Sequence, residues 1–185
     1  ISFNKYSIFI YHPVTTNLHA LLKNIREALK ALIASGKNYV VIYPNNDTGA
    51  DIIIEEYERL RQNKKFRIFP SLRFEYFLTL LRNAEFIIGN SSAGVREAPF
   101  YALPSINIGD RQNKRFNHHT IINVNELSEQ ILKGIKKAKK ISRVKSEYFG
   151  DGKSTERFIN IITQPKIWNV KIQKFFVDRK ENERI

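Results

Sequence analysis

The residues placed to handle a phosphorylated ligand are His12, Ser91, Ser92, Gly94, Glu97 and Arg111. Ser91 and Ser92 are good N-cap residues, and a helix from Ala93 to about Tyr101 is expected behind them. The first N–H groups of a helix lack internal partners, and the macrodipole puts partial positive charge there. The two hydroxyls add donors, and Gly94 lets a ligand approach the backbone. Glu97 lies one turn further in, badly placed for phosphate and well placed to accept from a ribose diol. Arg96 and Arg111 supply charge. An ordinary N-capped helix of an α/β protein carries the same pattern, so pattern alone leaves both readings open.

His12 follows an apolar run and precedes Pro13. A histidine in such a loop serves as acid, base or phosphate donor near neutral pH, although a lone loop histidine is more often surface decoration. His118 and His119 are adjacent and cannot share one helix face. No third ligand has suitable spacing, so neither a metal nor a cofactor is expected. Asp47, in Asn-Asn-Asp-Thr-Gly, reads as a turn and cap residue, with facing the cleft as the alternative.

The elements that must position these residues alternate between strand and helix. Strands are expected at Tyr6 to Tyr11, Tyr39 to Tyr43, Phe66 to Phe69, Phe86 to Ile88, Ser105 to Gly109 and Ile121 to Val124. Asn17 to Ser35 reads as one amphipathic helix with Leu18, Leu21, Leu22, Ile25, Leu29 and Leu32 on its inner face, stopped by Gly36. Asp51 to about Gln62 buries Ile53, Tyr57 and Leu60. Ser71 is expected to cap a helix carrying Phe74, Phe77, Leu78 and Leu81, and Asn125 to cap one carrying Leu127, Ile131, Ile135 and Ala138. Phe158, Ile161 and Ile162 mark a last short helix. Trp168, Ile172, Phe175 and Phe176 fit a helical stripe, but Trp168, Val170 and Ile172 also fit alternation. The fold class is therefore α/β, a doubly wound parallel sheet with Rossmann-like topology. In such a sheet ligands bind outside the carboxyl ends of the strands. That rule selects the loops at 12–16, 44–49, 70–73, 89–94 and 109–115.

At 185 residues the chain is long enough to bury its own core. It has no cysteine, which excludes disulfide and thiol chemistry and fits a cytoplasmic location. No apolar run approaches a membrane span, and no membrane partner is expected. The net charge of +13 raises nucleic-acid binding. The densest run, Lys133 to Lys140, argues against it: Glu126 and Glu129 precede the lysines, the order a solvated helix favours. No aromatic and basic platform for a strand of nucleic acid is visible. The start at Ile1 reads as a cut inside a longer protein.

Gly-Asn-Ser-Ser-Ala-Gly-Val-Arg-Glu-Ala-Pro at 89–99, followed by Pro-Ser-Ile-Asn-Ile-Gly-Asp-Arg-Gln, resembles the signature of UDP-N-acetylglucosamine 2-epimerases, in particular the hydrolysing branch. The match also takes in Tyr-His-Pro-Val-Thr-Thr at 11–16, Tyr-Pro-Asn-Asn-Asp-Thr-Gly at 43–49 and Phe-Gly-Asp-Gly-Lys-Ser at 149–154, so it spans about residues 6 to 163. The resemblance implies the carboxyl-terminal half of a two-domain GT-B architecture, with 1–163 as nucleotide-binding domain and 164–185 as a tail packing back onto an amino-terminal domain absent from this chain. It implies a nucleotide sugar as substrate, a catalytic role for His12, and nucleotide contacts from Asn90, Ser91, Ser92, Gly94, Glu97 and Arg111. Ser71 opens a helix near the place where the family holds the base. A homo-oligomer is compatible with it. The competing readings are the donor-binding half of a GT-B glycosyltransferase, a non-hydrolysing epimerase, whose His-Arg type of motif is replaced here by His12-Pro13, and a basic nucleic-acid module.

Overall fold

The computed structural model describes residues 3–169 and 172–173. Its contacts divide the chain into two units, Ile1–Phe149 and Gly150–Ile185. Strands β1 (Ser7–Ile10), β2 (Tyr39–Ile42), β3 (Phe66–Phe69), β4 (Ile87–Gly89), β5 (Ser105–Ile108) and β6 (Ile121–Val124) form one six-stranded sheet in the order β3-β2-β1-β4-β5-β6. Every neighbouring pair is parallel. The order reverses direction between β1 and β4, which is the switch point of a doubly wound sheet.

Both faces of the sheet are covered, and the central strands β1, β2 and β4 serve both. Phe9, Val41, Ile88, Ile106 and Ile122 pack under helices α1 (Leu21–Ser35), α2 (Ala50–Glu58) and α5 (Ser128–Ala138). Ile8, Ile10, Val40 and Ile87 face the opposite way, toward α3 (Phe74–Asn83), a 3-10 turn at Ser92–Gly94 and α4 (Glu97–Phe100). Two-sided burial explains the near-continuous apolar runs of the strands. Gly36 ends α1 in the left-handed conformation at φ 66°. Gly134 lets α5 lie close on the sheet, since a Cβ there would stand 3.0 Å from Val124 and 3.1 Å from Ile106.

Several helix expectations need correction. The segment 17–35 is not one helix: Thr15–Ala20 is a 3-10 turn with Asn17 outside helical φ/ψ, α1 begins at Leu21, and Leu22 lies on the exposed side. Ser71 is exposed and caps nothing, because α3 starts at Phe74 with Arg73 as its flanking residue. Asn125 does not cap α5. The residue preceding that helix is Leu127, itself exposed, and the orphan N–H of Ser128 donates to the Glu27 carboxylate of α1 at 2.9 Å.

The expected helix from 93 to 101 is likewise broken in two. Pro99 has no N–H, and its ring would meet the carbonyl of Val95 in a continuous helix. The chain therefore makes the 3-10 turn at Ser92–Gly94 and restarts at Glu97, which puts Pro99 in a first turn, where no N–H is needed.

In the second unit, α6 (Ser154–Ile162) and α7 (Pro165–Trp168) follow a turn in which both terminal guanidinium nitrogens of Arg157 donate to the Asp151 carboxylate. Phe158, Ile159, Ile161, Trp168 and Ile172 are exposed. Trp168 closes α7 and Ile172 lies in a bend beyond it, so the helical stripe does not continue from one to the other, and Val170, Phe175 and Phe176 lie outside the described residues. No helix among the described residues is long and apolar enough to cross a membrane.

Candidate functional site

His12 follows β1 and Asn90 follows β4, so the switch point brings them side by side at the carboxyl edge. Their contact is specific. The His12 N–H donates to Asn90 Oδ1 at 2.7 Å, and Asn90 Nδ2 donates back to the His12 carbonyl at 2.8 Å. Gly89 permits this closeness: at φ 134°, a Cβ there would sit 1.8 Å from the Ile10 carbonyl oxygen. Asn90 is fully buried. Its side chain is spent on the backbone of His12, so it stands behind the site as a support, and a nucleotide has no access to its amide.

Two residues of the loop after β5 complete the floor. Arg111 donates to the Asn90 carbonyl at 3.1 Å and Gln112 donates to the same oxygen at 2.9 Å. Arg111 forms no ion pair among the described residues, so its charge is uncommitted beside Asn90. Burial works against that charge, and nearby Asp47 supports it. The Asp47 side chain caps no helix. Gly49 precedes α2 without any side-chain cap, and Asp47 acts instead through its field on Arg111 and His12.

The imidazole of His12 is buried and lines a pocket of about 190 Å3 with Tyr43, Asn45, Leu72, Phe77, Ser91 and Ala93. Its Nδ1 accepts from the backbone N–H of Asn45 at 3.1 Å. Burial and the Arg111 charge push its pKa down to about 4, with Asp47 opposing, so His12 is neutral at physiological pH.

The 3-10 turn offers less dipole than a long helix and keeps real donors. Ser91 Oγ accepts from the Ala93 N–H, and Gly94 and Val95 donate to the carbonyls of Ser91 and Ser92. The N–H groups of Ser91 and Ser92 have no partner among the described residues, nor does the Ser92 hydroxyl. Gly94 is buried, and its missing side chain answers to the sheet: a Cβ would stand 2.5 Å from Ser105 Oγ. Ligand approach is not what requires glycine there. Glu97 is half-buried with Oε2 shielded from solvent and unpaired. A buried carboxylate oxygen without a donor awaits one.

The structure thus brings together His12, Asn90, Ser91 and Arg111, with Ser92 and Glu97 along the same chain segment. The Ser71 side chain makes no hydrogen bond among the described residues, and its neighbour Leu72 lines the pocket instead. The Asn45 amide and Gln112 were missed. A backbone donor carries no residue signature, and Gln112, although it closes the motif that carries the resemblance, sits in a loop without periodicity to assign its contact. Among the described residues no group of acidic or histidine side chains is arranged for a metal.

The likenesses to known proteins agree with this layout. A family profile described as "UDP-N-acetylglucosamine 2-epimerase" matches residues 1–163. A protein of that name from Neisseria meningitidis serogroup B is 43% identical over 182 residues, covering 96% of this chain and 48% of the relative. A UDP-N,N'-diacetylbacillosamine 2-epimerase (hydrolyzing) from Legionella pneumophila is 31% identical over 159 residues, covering 85% and 42%. The chain therefore spans about half the length of the relatives it matches. The crystal structure of the Methanocaldococcus jannaschii UDP-GlcNAc 2-epimerase with UDP-GlcNAc and UDP superposes with a TM-score of 0.68 at 23% identity, over 86% of this chain and 45% of that one. An Escherichia coli heptosyltransferase with ADP reaches 0.50 at 14% identity, over 72% and 42%, so the fold by itself is shared with sugar transferases. The family profile, covering the strand-end loops that hold His12, Asn90 and Arg111, decides between these: the chain belongs to the UDP-N-acetylglucosamine 2-epimerase family.

Proposed function

We propose that this chain is the nucleotide-binding, carboxyl-terminal half of a hydrolysing 2-epimerase acting on UDP-N-acetylglucosamine or a close relative. Glu97 carries the nucleotide part of the reading. Its buried, unpaired Oε2 is an acceptor for a ribose hydroxyl, one turn beyond the free N–H groups of Ser91 and Ser92. Those groups, with the Ser92 hydroxyl and the uncommitted Arg111, suit a diphosphate. Leu72 and Phe77 give the adjoining pocket an apolar wall fit for a base.

In the reaction, a base removes the proton on C2 while the C1–O bond breaks and UDP leaves with the bonding pair, giving a glycal. Water then adds hydrogen to C2 from the other face and hydroxyl to C1. The product is a free amino sugar inverted at C2, N-acetylmannosamine or a relative. This chain's residues stabilise the negative charge on the departing diphosphate, and the acid and base carboxylates belong to the other half of the protein. The hydrolysing branch is favoured by the names of the Legionella relative and of a Campylobacter jejuni relative, a GDP/UDP-N,N'-diacetylbacillosamine 2-epimerase (hydrolyzing) 36% identical over 128 residues. The N. meningitidis relative's name leaves the non-hydrolysing reading as the alternative.

Proton NMR of the full protein with UDP-N-acetylglucosamine, and with its diacetamido relatives, separates the two. Free N-acetylmannosamine and UDP are expected. An equilibrium with UDP-N-acetylmannosamine would assign the non-hydrolysing reaction, and no consumption of any UDP amino sugar would overturn the proposal.

A further inference from the structure

We propose that His12 works as a fixed, neutral hydrogen-bond donor through Nε2–H, locked in that tautomer by the Asn45 backbone amide and held in place by the Asn90 clamp, and that it serves neither as base nor as proton-donating acid. The inference rests on the placement of His12 in the nucleotide-sugar site and adds what its ring does there.

The geometry leaves little choice. An N–H pointing at Nδ1 requires a lone pair on that atom, so in the neutral ring the proton resides on Nε2. Asn45 donates at 3.1 Å from the loop after β2, and a main-chain amide cannot turn round to accept. The Asn90 clamp fixes the His12 backbone, and burial together with the Asn45 bond restrains the ring on it. Asn90 is in turn fixed through its own carbonyl by Arg111 and Gln112. Nε2 has no partner among the described residues, and the ring lines the pocket.

The charged neighbours reinforce the neutral state. Arg111, on the loop after β5, disfavours an imidazolium, and burial does so more strongly. Asp47, on the loop after β2, is the opposing charge and does not prevail. No titratable side chain stands at 90–92, the β4 loop. A neutral imidazole whose Nε2 already carries hydrogen has no lone pair there to take a proton from C2. As an acid it would have to become imidazolate, far too costly near neutral pH. What remains is polarisation: a short, directed donor to an oxygen that gains negative charge as the sugar–phosphate bond breaks.

Long-range 1H–15N spectra of the full protein labelled with 15N-histidine read the tautomer directly, with His12→Gln identifying the signal. An unprotonated Nδ1 and a protonated Nε2 are expected, unchanged from about pH 8 to about pH 5.5. Asn45→Pro deletes the amide hydrogen and should yield mixed tautomers, whereas Asn45→Ala keeps it and should preserve the single form. A protonated Nδ1, or a midpoint near the ordinary histidine value, overturns the inference, and the unmodified protein suffices for that measurement if a variant fails to fold. In turnover, glutamine supplies an N–H near the Nε2 position, so His12→Gln should retain about tenfold more activity than His12→Ala. Equal loss in both would point to proton transfer and sink the donor role. Asn90→Ala should lower kcat by about a hundredfold with KM for the nucleotide sugar little changed, as for a misplaced group. A rise in KM alone would place Asn90 in uniform binding instead. Full activity in His12→Ala would remove His12 from the site altogether, an outcome separate from the tautomer that the spectra report.

Discussion

At the scale of single residues, the types that suggest chemistry are not all free to meet a ligand. Asn90 belongs to the motif and is buried, spending its amide on His12. Gly94 belongs to it and answers to Ser105. Among the described residues, Glu97 is the acidic one with a buried oxygen left without a donor. Glu97→Gln keeps the shape and removes the charge-assisted acceptor, so UDP affinity measured by calorimetry should fall by roughly 1.5–3 kcal/mol. Unchanged affinity in a stably folded variant would refute the ribose assignment. Gly94→Ala forces a methyl toward Ser105 Oγ and should destabilise the fold by about 1–3 kcal/mol. Adding Ser105→Ala removes the clashing oxygen and leaves the Ser105 Cβ at an ordinary 3.7 Å. Denaturant melts of the double mutant should therefore recover about 1 kcal/mol, and strict additivity would show that the clash is not the cause.

At the scale of elements, helix termini depend on partners distant in sequence. The N-terminus of α5 takes its cap from Glu27, in the middle of α1 and 101 residues away. The Ser128 N–H holds the Glu27 carboxylate below the usual range, with Lys30 and Lys23 adding smaller pulls. A depressed folded pKa means stabilisation that is present above the unfolded value and lost as pH falls through the folded one. Glu27→Gln should thus lower Tm near pH 7, and the gap to the unaltered protein should close once both are measured in acid below the carboxylate range. A gap that persists in acid would mean that packing, not charge, carries the effect. The same helix carries its basic residues on a solvated face: Lys133, Lys136 and Lys137 are exposed while Ile131, Gly134, Ile135 and Ala138 are buried.

At the scale of the whole molecule, the chain spans about half of its relatives, 48% of the N. meningitidis protein. Elimination needs a group to take the C2 proton and another to return one, each within reach of the sugar. The roles proposed for this chain, His12 as a neutral donor, Arg111 as charge and Glu97 as a ribose acceptor, supply neither group. The isolated chain should therefore bind UDP without converting UDP-N-acetylglucosamine, and the full protein should convert it. Free N-acetylmannosamine in proton spectra of the isolated chain would show that both proton-transfer groups already lie within these 185 residues.

What the sequence determined by itself was what is local or periodic. Apolar runs too continuous for a one-sided sheet marked the strands, and β3 and β6 fall at the expected residues, 66–69 and 121–124. Gly36 marked the end of α1. Alternation of strand with helix set the fold class, and the fold class set which loops share an edge. Tertiary structure decided whatever depends on partners far apart in the chain. The His12–Asn90 clamp joins residues 78 apart, and the Asn45 amide that selects the tautomer of His12 comes from a neighbouring strand's loop. Register across the switch point and the close approach at Gly89 create those contacts, and a one-dimensional pattern records neither. Residue types name the groups that could act, but only their packing fixes which oxygen is buried without a donor and which nitrogen keeps its proton.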